Sequence, residues 1–116
     1  MKRELIAHED PKSHVSELFR TLRTNIQFMN SSRHLKSLLV TSTLPGEGKT
    51  WVSSNLAIAF AQTDKRVVLI DADMRKCCLH NIFKVSPYPG LSNYLASVNE
   101  NNYETQSLDN YLRETE

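Results

Sequence analysis

The chain has 116 residues, 40% of them apolar and 23% charged, which suits one small domain with a modest core and is short for a nucleotide-binding α/β domain. A formal net charge of +1 supplies no basic field for nucleic acid or a membrane surface, so no nucleic-acid partner is expected and any such contact would need a local patch. No apolar run approaches the ~18 residues a membrane helix requires, and the opening Met-Lys-Arg-Glu-Leu-Ile-Ala-His is too short and polar for a signal peptide, which predicts a cytosolic protein.

Residues 1–12, ending in His8-Glu9-Asp10-Pro11-Lys12, read as a polar arm. From Ser13 the spacing predicts a helix, with Val15, Leu18, Phe19, Leu22, Ile26 and Met29 on one apolar stripe and residues 30–33 as the loop that ends it. Glu17, Arg20 and Arg23 recur every three residues on the side away from that stripe, so composition alone makes them a solvated face stabilised by i,i+3 pairing.

Leu38-Leu39-Val40 is short, apolar and bounded by Thr41 and Ser42, the pattern of a buried strand. Beyond the next turn, Val52, Ala57, Ala59 and Phe60 stand among good helix formers, with Trp51 and Ile58 adding apolar surface. The turn itself reads Thr-Leu-Pro-Gly-Glu-Gly-Lys-Thr from Thr43 to Thr50. A strand that feeds a helix through such a loop gathers backbone N–H groups and the positive end of the helix dipole at one point, which is a phosphate site. Gly46 and Gly48 let the backbone approach an anion, Lys49 adds a full charge for the terminal phosphates, and the Thr50 hydroxyl is placed to ligate Mg²⁺. The ordinary pattern is G-x-x-x-x-G-K-[ST], and Thr43 occupies its first glycine position. The bland alternative is a plain turn before a helix.

Asp64-Lys65-Arg66 forms a turn, and Val67, Val68, Leu69 and Ile70 make a second β-branched run that ends in Asp71-Ala72-Asp73. Ligands of open parallel sheets bind outside the carboxyl ends of the strands, so a carboxylate there can face a nucleotide held by the first strand's loop. Asp71 and Asp73 would share one direction on an extended backbone, and could share a Mg²⁺ ion or divide metal ligation from proton acceptance. The competing reading is that the pair caps the next segment or closes a turn. Strand, phosphate loop, helix, strand and acid together make one βαβ unit.

Cys77 and Cys78 are adjacent, a spacing that resists a mutual disulfide and predicts free thiols; with His80 they lack standard zinc spacing. Pro87, Pro89 and Gly90 break the chain before Leu91, Tyr94 and Leu95 at short helical spacing. Residues 97–116 are polar, rich in Asn and Glu, and read as a poorly anchored tail.

Four ordered stretches, "ELFRTLRTNIQF", "TSTLPGEGKTWVSSNLA", "VVLIDADMRK" and "GLSNYLA", resemble the bacterial tyrosine kinases that regulate capsule and exopolysaccharide synthesis, over Ser13 to Ala96. The resemblance implies an α/β, P-loop NTPase-like parallel sheet with flanking helices, part of a kinase domain over residues 13–96, and ATP with Mg²⁺ as cofactors. Pro45, Gly46, Glu47, Gly48, Lys49 and Thr50 match the family's Walker A loop, which implies Lys49 on the ATP phosphates and Thr50 on Mg²⁺. Asp71 and Asp73 match its Walker A′ motif, implying metal coordination and activation of a tyrosine hydroxyl. Glu17, Arg20 and Arg23 match the E-x-x-R-x-x-R motif through which these kinases form rings, implying a homo-oligomer. Beginning at Met1 close to the first helix, the chain resembles the free-standing form, which works with a membrane-embedded activator of polysaccharide polymerisation and reaches the inner face of the cell membrane through it.

Departures from the family accompany the match. No later apolar strand ending in the Walker B aspartate and no tyrosine cluster precede Glu116, and Cys77 stands where relatives often have proline. Tyr103 and Tyr111 fall in a tail that does not align, so no phospho-acceptor role is carried onto them. The expectation is a fragment or truncated paralogue that is a poor kinase alone. Two other functions compete. A partition or septum-positioning ATPase would carry an extra lysine where Leu44 stands. A non-catalytic remnant would bind nucleotide, or only kinase subunits through the helix of Glu17, Arg20 and Arg23.

Overall fold

The computed structural model describes residues 4–98 and 107–115. In chain order the elements are α1 (Ile6–Glu9), α2 (His14–Met29), α3 (Lys49–Ala61), α4 (Leu79–Ile82), α5 (Leu91–Ser97) and a 3₁₀ turn (Leu108–Tyr111). They fall into two compact units, Met1–Leu69 and Ile70–Glu116.

In the first unit α2 starts where the sequence supplies a cap. The Ser13 hydroxyl accepts the Ser16 N–H at 3.1 Å, and Glu17 sits in the first turn, favourable to the helix dipole. Its inner face carries Phe19, which packs with Leu56 and Ala59 of α3; Ile6, Val15, Ile26, Trp51, Val52 and Phe60 surround them. Phe19 and Trp51 meet edge to face, with centroids 5.2 Å apart. Burying the Phe19 side chain contributes about 2–3 kcal/mol. Helix α3 is covered along most of its length, and Ser54, Asn55, Leu56 and Ala59 are fully enclosed.

The apolar stripe of α2 is only half used. Val15, Phe19 and Ile26 face the core, whereas Leu18, Leu22 and Met29 are exposed, Met29 by 76%. One residue along a helix turns the side chain by about 100°, so α1 and α3 cover one edge of a broad apolar arc and leave the other open.

The polar arm also holds structure: α1 lies in it, with Ala7 buried. Asn55 of α3 bridges to this segment, the Ser16 hydroxyl donates to the carbonyls of Ile6 (3.0 Å) and Asp10 (2.7 Å), and the Gln62 amide donates to Ala7 at 3.0 Å.

The two expected strands do not appear. Among the described residues no strand is present, and residues 38–40 and 67–70 run outside regular structure, with Leu39 83% and Ile70 62% exposed. A strand exists only where a neighbour pairs its N–H and C=O groups, and a two-stranded sheet is marginal in water. The described chain is helical, and the parallel sheet is not part of it.

In the second unit no described residue is fully buried. Gly90 opens α5, its N–H donating to Asn93 Oδ1 at 2.9 Å. Within the tail, the described residues 107–115 have anchors that composition does not predict: Tyr111 stacks edge to face on Tyr94 at 5.3 Å, its hydroxyl donates to Ser97 Oγ at 3.3 Å, and Arg113 donates to the Tyr88 carbonyl at 2.9 Å. Tyr103 lies outside the described residues. No helix of the described residues is long and apolar enough to cross a membrane.

Candidate nucleotide site

The loop of residues 43–50 leads directly into α3. Gly48 is the residue before the helix and has φ +90°, and Gly46 has φ +78°. Both lie in the left-handed region that only glycine enters without strain. A Cβ at either would meet open space, so backbone conformation and not crowding requires these glycines. Helix α3 begins at Lys49, and its first intrahelical turn closes with the Val52 N–H on the Gly48 carbonyl at 2.9 Å. The positive end of its dipole therefore lies at this loop.

Beside the loop is an open cavity of about 400 Å³ between Val40 and Val52, lined among others by Thr43, Glu47, Gly48 and Lys49. Lys49 lines it and the positive end of α3 begins beside it, a combination that fits a phosphate. Glu47 is turned back on its own loop. Its carboxylate accepts the N–H groups of Thr43 at 3.1 Å and Leu44 at 3.3 Å, and Thr43 Oγ1 stands 3.4 Å from both oxygens. The Ser42 hydroxyl closes the same turn on the Leu44 carbonyl at 2.8 Å.

Asp71 and Asp73 belong to the second unit, whereas Lys49 and Thr50 belong to the first. Asp71 Oδ2 accepts the N–H groups of Cys78 (3.0 Å) and Leu79 (3.2 Å), so it serves as the missing acceptor at the start of α4, whose own preceding residue gives no side-chain cap. Asp71 Oδ1 accepts the Asp73 N–H at 3.1 Å. Asp73 Oδ1 in turn accepts the N–H groups of Arg75 (3.2 Å) and Lys76 (3.0 Å). The two aspartates thus organise the turn after residue 70. An ionised carboxylate offers about four lone-pair sites, and the three bonds described for Asp71 use most of them. Neither Cys77 nor Cys78 is in a disulfide, and among the described residues no three His, Cys, Asp or Glu side chains gather to hold a metal ion.

Glu17, Arg20 and Arg23 divide. Arg20 grips Glu17 through Nε (3.0 Å) and Nη2 (2.7 Å) and reaches the Pro11 carbonyl with Nη1 at 2.8 Å. Arg23 instead faces α3: its Nη1 donates to the Ala59 carbonyl at 2.8 Å, in the last turn of that helix, while its Nε is buried without a hydrogen-bond partner. A cation at a helix C-terminus satisfies a carbonyl and complements the dipole. Placing all three residues away from the core was therefore correct only for the first two.

Asn55, the link between α1 and α3, had one signal in the sequence: an amide between Ser53-Ser54 and the apolar run from Leu56 to Phe60, since a polar group within a buried helix needs partners.

Residues 38–112 match the family model described as the CobQ/CobB/MinD/ParA nucleotide binding domain. The tyrosine-protein kinase YwqD of Bacillus subtilis (strain 168) is 48% identical over 95 residues, covering 82% of this chain and 40% of that protein. The tyrosine-protein kinase etk of Escherichia coli (strain K12) is 42% identical over 97 residues, 84% of this chain and 13% of its own length. The tyrosine-protein kinase wzc of Salmonella typhimurium (strain LT2) is 39% identical over 97 residues, 84% of this chain and 14% of its own. The chain thus spans less than half the length of these relatives. It belongs to the CobQ/CobB/MinD/ParA nucleotide-binding-domain family, and its curated relatives are bacterial tyrosine-protein kinases.

Proposed function

We propose that the chain carries the nucleotide-binding part of an ATP-dependent protein-tyrosine kinase that acts in capsule or exopolysaccharide synthesis. The observation that carries this reading is the loop of residues 43–50: two glycines in the left-handed region, Lys49 at the first position of α3, and a run of the chain 48% identical to a tyrosine-protein kinase. Lys49 holds the terminal phosphates of ATP, and the N–H groups at the start of α3 hold the oxygens beside them. Thr50, Asp71 and Asp73 offer the hard oxygen ligands that Mg²⁺ prefers, and the ion supplies charge neutralisation on the phosphates when bound. In the transfer itself the tyrosine oxygen bonds to the terminal phosphorus, the bond to the leaving diphosphate breaks, and one of Asp71 and Asp73 takes the hydroxyl proton.

In the longer kinase, residues 38–40 and 67–70 pair as neighbouring parallel strands, which would cover apolar side chains that are exposed in this chain. Subunits meet through α2, with Glu17 and Arg20 at the contact, and a membrane-embedded activator brings the kinase to the inner face of the membrane. A second reading, a nucleotide-binding module without transfer activity, is favoured by the bonds of Asp71, all of those described being to backbone N–H groups. Calorimetry with MgATP and MgADP tests the shared premise. Binding that Lys49→Ala weakens at least tenfold is expected, and equal binding by both forms rejects the site. Phosphotyrosine formation by the longer kinase, abolished by Asp71→Asn with nucleotide binding retained, separates the first reading from the second.

A further inference from the structure

A carboxylate in a loop that receives a polyanion is electrostatically unfavourable, so Glu47 calls for a compensating role. It accepts the N–H groups of Thr43 and Leu44, four and three residues behind it, and so closes two small rings around Pro45 and Gly46. Pro45 has a fixed φ and no N–H of its own. Gly46 turns the chain at φ +78°. Thr43 is also the position at which the ordinary phosphate-loop pattern has a glycine, and a side chain there makes the front of the loop less free to fold around an anion. The longer contacts of Thr43 Oγ1 to both carboxylate oxygens, at 3.4 Å, add that side chain to the same cluster.

We infer that Glu47 is a positioning residue: its carboxylate is an internal anion that holds the front edge of the loop at Thr43 and Leu44 and so fixes the shape in which the loop meets the nucleotide. The inference rests on the nucleotide reading of the loop. The front-edge donors serve Glu47 before any ligand arrives, so less conformational freedom is lost when phosphate binds. The geometry separates two properties of the side chain. Its acceptor atoms order the loop, and its negative charge opposes the phosphates. Glutamine keeps an acceptor and removes the charge, whereas alanine removes both.

Two measurements on the full chain test this. In the nucleotide-free protein, amide exchange read by NMR should be slow at Thr43 and Leu44 in the wild type and in Glu47→Gln, and several-fold faster in Glu47→Ala with helix content unchanged. Equal exchange in all three forms would overturn the inference. For MgADP, calorimetry should find Glu47→Ala about tenfold weaker than Glu47→Gln, the size expected for losing a charge-independent pair of backbone contacts. Equal affinities of the two variants would overturn the positioning role, because the variants share their loss of charge and differ in their ability to hold Thr43 and Leu44. A wild-type chain that shows the exchange pattern and binds no nucleotide would uphold the internal anchor and refute the nucleotide reading.

Discussion

Replacing Asn55 by alanine should release α1 from α3. Asn55 is fully buried and makes three hydrogen bonds: Oδ1 accepts the Ala7 N–H, and Nδ2 donates to the carbonyls of Glu4 and Trp51, each at 2.9 Å. Their loss is unequal. Ala7 is 2% exposed, so its orphaned N–H costs about 1–3 kcal/mol. Glu4 is exposed and its carbonyl can turn to water. Trp51 lies in α3, where its carbonyl keeps the bond of the helix ladder, so the side-chain bond there contributes about 0.5–1.5 kcal/mol. The sum is about 2–4 kcal/mol, a large part of the 5–15 kcal/mol typical of a domain. Urea unfolding followed by Trp51 fluorescence should shift by that amount, because Trp51 packs on Phe19 in the same core. Asn55→Asp should cost at least as much, since it sets a second acceptor against the Glu4 and Trp51 carbonyls. If α1 detaches before the core melts, the shift is smaller and the Ala7 amide exchanges like an unfolded peptide. A shift below about 0.5 kcal/mol with the Ala7 amide still protected would refute the reasoning, since a lost network must appear in one or the other.

Arg23→Glu places a carboxylate beside the last-turn carbonyls of α3 and should lower the melting temperature by several degrees, at a cost of about 2 kcal/mol; an unchanged melt would mean Arg23 does not hold α3. Arg20→Glu tests assembly more cleanly than Arg23 does, because the Glu17–Arg20 pair is on the surface, with side chains 63% and 28% exposed, and such a pair contributes at most about 1 kcal/mol to folding. In the longer kinase proposed above, this substitution should move sedimentation toward monomer if α2 is a subunit contact, and an unaltered distribution would return the pair to a solvated role. Asp71→Ala should fray α4 and raise the reactivity of Cys78 toward a thiol reagent several-fold in a Cys77→Ser background; unchanged reactivity would show that Asp71 is not needed as the cap.

The two glycines of the turn before α3 were legible because backbone conformation restricts residue type: the left-handed positions at Gly46 and Gly48 leave few alternatives. The ends of α2 were legible for the same reason, Ser13 being a side chain that can accept an N–H two or three residues on. Periodicity served less well. Leu18 and Leu22 fit the apolar arc of α2 as well as Phe19 does, and only the positions of α1 and α3 decide which edge is covered. The two apolar runs at 38–40 and 67–70 have strand-forming residues, but propensity describes fit to a pleated surface, and no neighbouring strand among the described residues provides one. Residues 4–10 looked like an arm because their attachment is made through Asn55, Ser16 and Gln62, and polar side chains far away in sequence leave no periodic signal.

At Asp71 the two readings offered by sequence are compatible in one residue. A carboxylate fixed by the N–H groups of Asp73, Cys78 and Leu79 cannot swing, and a ligand or base that cannot swing loses little entropy when metal or substrate arrives. Capping therefore supplies the rigidity that catalysis would need, at the cost of lone pairs. The balance is measurable without any turnover: Asp71→Asn keeps an acceptor for α4 and loses the charge. If Asp71 only caps, Asn should match wild type in Mg²⁺-dependent nucleotide affinity. If it also ligates, the Mg²⁺ dependence should weaken while Cys78 stays protected.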